Sequence, residues 1–192
     1  IYDTNNFGGY GYGNEATART FGTNPIASED LMNTTNENLR IRGNVYATLD
    51  LMKGLQYKLN LGYETSRDNN KFLRKIGNFT LNQPYDPSDR YENKAKSVST
   101  LIENTLTYKK IFKKHDINAV VGNSYQNLYY EMIAAEKKNL VKVGDHYYDV
   151  IDAGTTDPNA WGNIGESALL SYFGRLNYSF DEKYLVSATF RS

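Results

Sequence analysis

This sequence lacks cysteine altogether, contains little proline and no long apolar run, and has a net charge of zero. Its 192 residues contain no Cys and only 4 Pro, and 22 basic residues balance 22 acidic ones. The absence of thiols excludes disulfides, Cys-based zinc sites and Cys nucleophiles. The zero net charge gives no general attraction to nucleic acid, so we expect no nucleic-acid partner. No apolar run approaches the ~20 residues that a membrane-spanning helix requires.

What the sequence does contain is a repeated alternation of apolar and polar residues. One side of residues 55–65 carries Leu55, Tyr57, Leu59, Leu61 and Tyr63. The other side carries Gln56, Lys58, Asn60, Gly62 and Glu64. Because successive side chains of a strand point to opposite faces, this pattern predicts a strand with one apolar and one polar face. Its length matches the ~9–11 residues with which a tilted strand crosses a bilayer.

The same alternation recurs in three predicted hairpins, at residues 39–65, 96–131 and 168–192. Two residues depart from the pattern, since Leu101 falls on the polar face and Asn123 on the apolar face. A β-bulge near Gly122 is one explanation for the position of Asn123.

Short and long connections between the strands also alternate. Residues 50–54, 109–114 and 181–183 form short turns, whereas 65–95 and 132–167 are long, polar segments, and 1–38 is interpreted as another loop region. Outer-membrane barrels combine short periplasmic turns with long extracellular loops. The sequence therefore predicts an all-β fold of antiparallel up-and-down strands that form part of a large transmembrane β-barrel. A soluble β-sandwich is the alternative, because its strands alternate too.

Candidate functional residues lie in the predicted loops and on the predicted polar face. Aromatic side chains stack on sugars and fill protein interfaces. The candidate ligand or partner contacts are therefore Tyr85, Tyr147, Tyr148 and Trp161. Charged residues on the polar face are candidates to face a barrel lumen, where they pair with one another, contact a plug or line a solute path: Arg40, Arg42, Lys58, Glu64, Glu103, Arg175 and Arg191.

No pattern in the sequence predicts catalysis. There is no HExxH or other metal spacing, and no nucleophile–base pair or carboxylate dyad is identified. The acidic residues of the second long loop offer oxygen ligands of the kind that calcium binds, but an ordinary polar loop explains them as well: Asp145, Asp149, Asp152 and Asp157. We expect no enzyme activity, no catalytic residue and no cofactor.

Three stretches of the sequence resemble the barrel of SusC/RagA-type TonB-dependent outer-membrane transporters. The most specific is LLSYFGRLNYSFDEKYLVSATFRS at residues 169–192. The others are NPIASEDLMNTTNENLRIRGNVYATLDLMKGLQYKLNLGYE at 24–64 and TLIENTLTYKKIFKKHDINAVVGNSYQ at 100–126. The resemblance implies a Gram-negative outer-membrane location and a 22-stranded barrel with an N-terminal plug and a TonB box.

The resemblance also implies what the chain contains and with what it works. It implies import of oligosaccharides or peptides, with a SusD-like surface lipoprotein, outer-membrane lipids and the TonB complex as partners. About six of the 22 strands are expected here. We expect a piece of a larger chain, without the plug and TonB box, so contact with TonB would come through an N-terminal region outside this sequence. The alternative function is a soluble carbohydrate-binding or adhesion β-domain.

Overall fold

A computed structural model gives the architecture of the chain. It describes residues 9–11, 24–80 and 83–192. Within these ranges, no helix has the length and apolar character needed to cross a membrane.

The described chain consists almost entirely of β-strands. A single α-helix, α1 (Pro25–Leu31), is followed by β1 (Met32–Met52), β2 (Leu55–Arg74), β3 (Gly77–Thr80), β4 (Gln83–Tyr85), β5 (Asp89–Phe112) and β6 (His115–Leu140). The remaining elements are β7 (Lys142–Val143), β8 (His146–Tyr147), a 3₁₀ turn (Ile151–Ala153), β9 (Gly154–Phe180) and β10 (Tyr184–Arg191). Six strands form one sheet in the order β1-β2-β5-β6-β9-β10, while β3-β4 and β7-β8 form two small hairpins. The prediction of an all-β, up-and-down sheet of six strands is confirmed.

The strands reach further than the predicted hairpins. The first strand begins at Met32, inside the segment interpreted as a loop region, and α1 precedes it; much of residues 1–23 lies outside the described residues. The segments read as loops at 65–95 and 132–167 supply the distal ends of β2, β5, β6 and β9. Strand pairing uses backbone hydrogen bonds and needs no apolar face, so a sheet continues where both faces are polar and alternation no longer marks it.

The short helix α1 is defined by its first residues. The side chain of Asn24 accepts hydrogen bonds from the backbone N–H groups of Ile26 and Ala27, at 2.9 and 3.2 Å, and Pro25 occupies the first turn. An N-cap of this kind satisfies donors that a helix start leaves unpaired, and proline is favoured at that position. The helix buries Ala27 and Leu31.

The chain forms two compact units. The hairpin unit comprises Arg40–Ser66, Lys96–Tyr130 and Ile164–Ser192, and the loop unit comprises Ile1–Leu39, Arg67–Ala95 and Glu131–Asn163.

The hairpin unit has one apolar face that no other part of the described unit covers. Large apolar side chains on alternate residues are 44–68 % exposed, among them Ile41, Val45, Leu49, Leu170, Tyr172, Leu176, Tyr184, Val186 and Phe190. The apolar positions of β9 run from Ala168 to Phe180, or about 40 Å along a strand and roughly 28 Å across a bilayer at a 45° tilt. This height and the exposed apolar surface are those of a lipid-facing barrel wall.

Contacts across the strands confirm which residues share a face. Even-numbered residues of β1 and β2 meet on the polar face, as in the pair Asn44–Asn60, whose side chains hydrogen-bond at 3.3 Å. The predicted position of Leu101 on that face holds, because it packs against Gly62, where an added Cβ would lie 3.2 Å from the Leu101 Cβ. A large side chain thus fills the space that glycine leaves free.

Asn123 keeps its place on the apolar face and requires no shift of register. Its Oδ1 accepts a hydrogen bond of 2.9 Å from Asn104 Nδ2, and the Tyr57 hydroxyl donates to Asn104 Oδ1 at 2.6 Å. A polar side chain in apolar surroundings lowers the stability of the fold unless it is hydrogen-bonded. The three residues satisfy one another across β2, β5 and β6, so a bulge is not needed to explain Asn123.

The loop unit has a small core of its own. Leu73, Leu140, Tyr147 and Ala153 are buried together, bringing the ends of β2 and β6 against the segment that contains β7 and β8. The backbone N–H of Val141 donates to the carbonyl of Ala153 at 2.9 Å. The second long connection is therefore folded onto the strand ends of this unit.

Candidate functional site

Three of the charged residues predicted on the polar face form one cluster. The Glu64 carboxylate accepts from Arg42 Nε at 2.7 Å and lies 3.5 Å from Arg40 Nε. The two arginine side chains are 60 and 69 % exposed. Ion pairs this exposed contribute at most about 1 kcal/mol each to stability. The cluster carries two cations for one carboxylate, which leaves an exposed positive charge on the polar face.

The other predicted polar-face residues do not join this cluster within the described part of the chain. Lys58 lies with its Nζ 4.6 Å from the centre of the Tyr46 ring, a cation–π contact. Arg175 is exposed and stands opposite Thr189, while Arg191 stands opposite Phe173. Glu103 is half-buried. The polar face therefore presents separate charged groups along its strands.

Tyr85, one of the four predicted loop aromatics, is held by Arg74. The Arg74 guanidinium lies 3.3 Å from the centre of the Tyr85 ring and also donates a hydrogen bond to its hydroxyl. The same guanidinium pairs with the buried Asp89 at 2.8 Å. Partial burial, followed by the nearby Asp89 carboxylate, raises the pKa of the Tyr85 hydroxyl. This tyrosine is thus engaged within the loop unit.

Tyr147 and Tyr148 have opposite environments although they are neighbours. Tyr147 is only 8 % exposed, and its hydroxyl accepts a 3.3 Å hydrogen bond from the backbone N–H of Ile76. Its ring belongs to the core of the loop unit and is not available to a ligand, which corrects its place among the candidate contacts. Tyr147 is buried because the segment that contains β7 and β8 packs on the ends of β2 and β6. Tyr148 is 52 % exposed and stays a candidate.

Trp161, the fourth candidate, stacks on an aromatic residue that sequence reasoning missed. The ring centres of Trp161 and Tyr91 are 5.9 Å apart and their planes meet at 27°. Asn93 Nδ2 donates to the Tyr91 hydroxyl at 3.1 Å, which fixes the ring. Trp161 is nevertheless 40 % exposed. The pair, called the aromatic shelf below, offers an open indole surface that is held by a second ring and an amide.

A buried arginine that the sequence did not single out organises the acidic loop. Arg90 is 1 % exposed and pairs with Asp149 at 2.7 Å and with Glu92 at 2.9 Å. Next to it, the buried Ser88 accepts from the backbone N–H of Leu140 at 2.9 Å. The Arg90–Asp149 pair attaches β5 to the segment that follows β6, and the Ser88–Leu140 bond attaches the residue before β5 to the end of β6. No sequence motif marks Arg90 or Ser88 as important. Asp149 and Leu140, their partners, lie more than fifty positions along the chain, and the spacing of Arg90 and Glu92 belongs to no motif.

The acidic residues considered for calcium are each paired with a cation instead. Lys142, Arg90, Lys137 and Lys138 lie 2.7–3.5 Å from Asp145, Asp149, Asp152 and Asp157 respectively. Calcium requires several oxygen ligands that converge on one point. No group of three or more potential metal ligands occurs among residues 9–11, 24–80 and 83–192.

Comparisons with known proteins agree on one class. No protein-family model matches the sequence. The chain is 28 % identical over 157 residues to TonB-dependent receptor P3 of Formosa agariphila, a match that covers 78 % of this chain and 15 % of the receptor. It is 27 % identical over 179 residues to TonB-dependent receptor P26 of the same organism, covering 88 % of this chain and 17 % of that receptor. The chain thus spans about a sixth of the length of these relatives.

Solved structures give the same result for the fold. The RagAB peptide transporter superposes with a TM-score of 0.72 at 26 % identity, over 86 % of this chain and 18 % of that one. The RagAB peptide importer in its closed-closed state gives a TM-score of 0.71 at 25 % identity. The resemblance to this barrel, predicted from three stretches of sequence, is confirmed.

Proposed function

Because this chain is a barrel part of a SusC/RagA-type TonB-dependent outer-membrane transporter, we propose that its full-length protein imports oligosaccharides or peptides together with a SusD-like surface lipoprotein. Contact with the TonB complex would be made by an N-terminal region of the full-length protein. The observation that supports this proposal most is the two-sided hairpin unit. One face is apolar and exposed, as a lipid-facing wall requires, and the other carries charged side chains suited to a water-filled lumen.

The relatives support import rather than catalysis. They are named as receptors and transporters, and RagAB is described as a peptide transporter and importer. We carry this activity over to the full-length protein as a proposal, with oligosaccharides or peptides as its substrates. Deletion of the full-length gene should abolish growth on the oligosaccharide or peptide that the transporter imports, supplied as the sole carbon source. Uptake that persists after deletion, or that does not depend on TonB, would contradict the proposal.

We further propose that the aromatic shelf contacts the substrate during import. Stacking on an aromatic ring contributes about 0.5–1.5 kcal/mol beyond the area that it buries, which corresponds to roughly a 2–12-fold change in affinity. Trp161→Ala in the full-length transporter should weaken substrate binding by about that factor, measured by calorimetry on the purified protein. Trp161→Phe keeps a ring at the site and should retain most of the affinity.

A control variant distinguishes contact with substrate from damage to the loop unit. Tyr147→Phe removes a hydroxyl from the buried core of the same unit, and it should leave substrate affinity unchanged. An equal loss of affinity in Tyr147→Phe and Trp161→Ala would mean that the shelf acts only through the packing of the loops.

A further inference from the structure

The three short turns of the hairpin unit form a continuous rim. They comprise residues 53–54, 113–114 and 181–183. Lys109 N at the end of β5 donates to Gly54 O of the first turn at 2.7 Å. Asp181 N of the third turn donates to Lys114 O of the second turn at 2.8 Å. We call this set of turns, with the strand ends that meet them, the turn rim.

An aromatic cluster lies at one end of the turn rim. His115 Nδ1 and the Tyr178 hydroxyl are 2.7 Å apart, and the His115 ring lies 4.9 Å from the ring centre of Phe180. Phe180 in turn stacks on Tyr184 at 6.5 Å, and Tyr184 is 68 % exposed. Aromatic side chains with an apolar body and a polar edge prefer the boundary between lipid and water. The cluster therefore places the turn rim at the level of lipid headgroups.

The turn residues themselves contain four lysines and two carboxylates: Lys53, Lys113, Lys114 and Lys183 against Asp181 and Glu182. Lys114 and Lys183 share the single carboxylate of Asp181, at 3.0 and 3.3 Å. No ion pair with a carboxylate involves Lys110 or Lys113 within the described residues, and Lys113 Nζ lies 5.4 Å from the ring centre of Phe112. The rim thus combines an excess of ammonium groups with exposed apolar side chains.

We propose that this part of the turn rim binds the phosphate of an anionic phospholipid, with the acyl chains lying on the aromatic cluster. Such a ligand matches both features of the surface at once. Its phosphate and negative charge complement Lys110, Lys113 and Lys114, while its apolar tails complement the exposed rings of Phe112 and Tyr184. A zwitterionic phospholipid supplies the tails but no net negative charge, so the lysines select between the two.

The magnitude of the selection follows from the number of lysines. A lysine near an anionic membrane surface contributes about 1 kcal/mol, or roughly a five-fold change in binding. Three such lysines, partly screened by salt and by the carboxylates of Asp116, Asp181 and Glu182, should give at least about a ten-fold preference for anionic lipid.

The test measures lipid retained by the full-length transporter. The protein is purified in a neutral detergent, mixed with equal amounts of phosphatidylglycerol and phosphatidylethanolamine, and examined by native mass spectrometry. The native protein should retain mainly phosphatidylglycerol. The variant Lys110→Gln/Lys113→Gln/Lys114→Gln should lose that preference by about ten-fold or more. Lys110→Gln alone, which removes one of these charges, should lose the preference by about five-fold if the triple variant does not assemble.

A control removes the same number of charges elsewhere. Lys137→Gln/Lys138→Gln/Lys142→Gln changes three lysines of the loop unit that are each paired with an aspartate. It should keep the preference for phosphatidylglycerol within about two-fold, because these lysines are not at the rim. An equal loss in the two triple variants, or no preference in the native protein, would overturn the proposal.

Discussion

Leu176→Lys in the full-length protein should block assembly of the barrel in the outer membrane. Leu176 is 44 % exposed on the apolar face of β9, opposite Ala188 of β10. A lysine on the lipid face costs about 2–4 kcal/mol near the bilayer midplane, because its ammonium group loses water and finds no partner in lipid. Assembly is measured by the heat-modifiable band of a folded barrel in gel electrophoresis, which should be lost or greatly reduced.

The matched control introduces the same charge one residue away on the other face. Ser187 lies on β10 opposite Asn177, directly beside the Leu176–Ala188 pair, and faces the polar side. Ser187→Lys forfeits a 2.8 Å hydrogen bond to Asn177, worth about 1 kcal/mol, but its ammonium stays in water. It should assemble nearly as well as the native protein. Equal behaviour of the two variants would contradict the assignment of the faces.

Gly54→Ala should be the most damaging change among the turn glycines. Gly54 has φ = +86°, which an alanine adopts only at a cost of about 1 kcal/mol. A Cβ at this position would also collide with the carbonyl oxygen of Lys109, a backbone atom that cannot rotate away. Relief of the collision separates the turn from β5 and weakens the 2.7 Å hydrogen bond from Lys109 N to Gly54 O. The free energy of unfolding should fall by about 2–3 kcal/mol in total.

Gly144→Ala separates the two causes. Gly144 also has a positive φ, of +60°, but nothing lies within 4 Å of its added Cβ. Only the conformational cost of about 1 kcal/mol should appear there. Urea titration of the refolded full-length barrel in lipid vesicles measures both variants. If Gly144→Ala were as destabilising as Gly54→Ala, the collision with Lys109 would have no part in the effect.

The fold of the hairpin unit could be predicted from the sequence because lipid imposes a rule on every second residue. In β2 the apolar positions Leu55 to Tyr63 alternate without interruption, and the same rule identified β9 and β10. The alternation of apolar and polar residues ends where both faces of the strand meet water. From Glu64 to Lys71 both faces of β2 are polar, yet the strand continues through its backbone hydrogen bonds to Arg74. The length of the strands was therefore underestimated, while their number and direction were not.

The candidate site was predictable only within a hairpin. Arg42 and Glu64 both have even numbers and therefore lie on the same face of β1 and β2. The tight turn between these strands brings the two side chains together, so their contact could be predicted from the alternation alone. Trp161 and Tyr91 lie on β9 and β5, with β6 between them in the sheet. Their contact depends on the register of two separate strand pairs, which alternation does not fix. The burial of Tyr147 likewise depends on how its loop folds, which no local pattern records.

Spin labelling along β9 tests most directly whether this chain is a lipid-facing barrel wall. The chain contains no cysteine, so single cysteines introduced at residues 170–179 of the full-length transporter, in a cysteine-free background, carry one label each. In lipid vesicles, labels at Leu170, Tyr172, Leu176 and Tyr178 should collide mainly with dissolved oxygen, which concentrates in lipid. Labels at Ser171, Arg175, Asn177 and Ser179 should collide mainly with a water-soluble nickel chelate. Collision rates without this two-residue alternation, or labels on the apolar positions that are shielded from both reagents as in the core of a sandwich, would contradict the account.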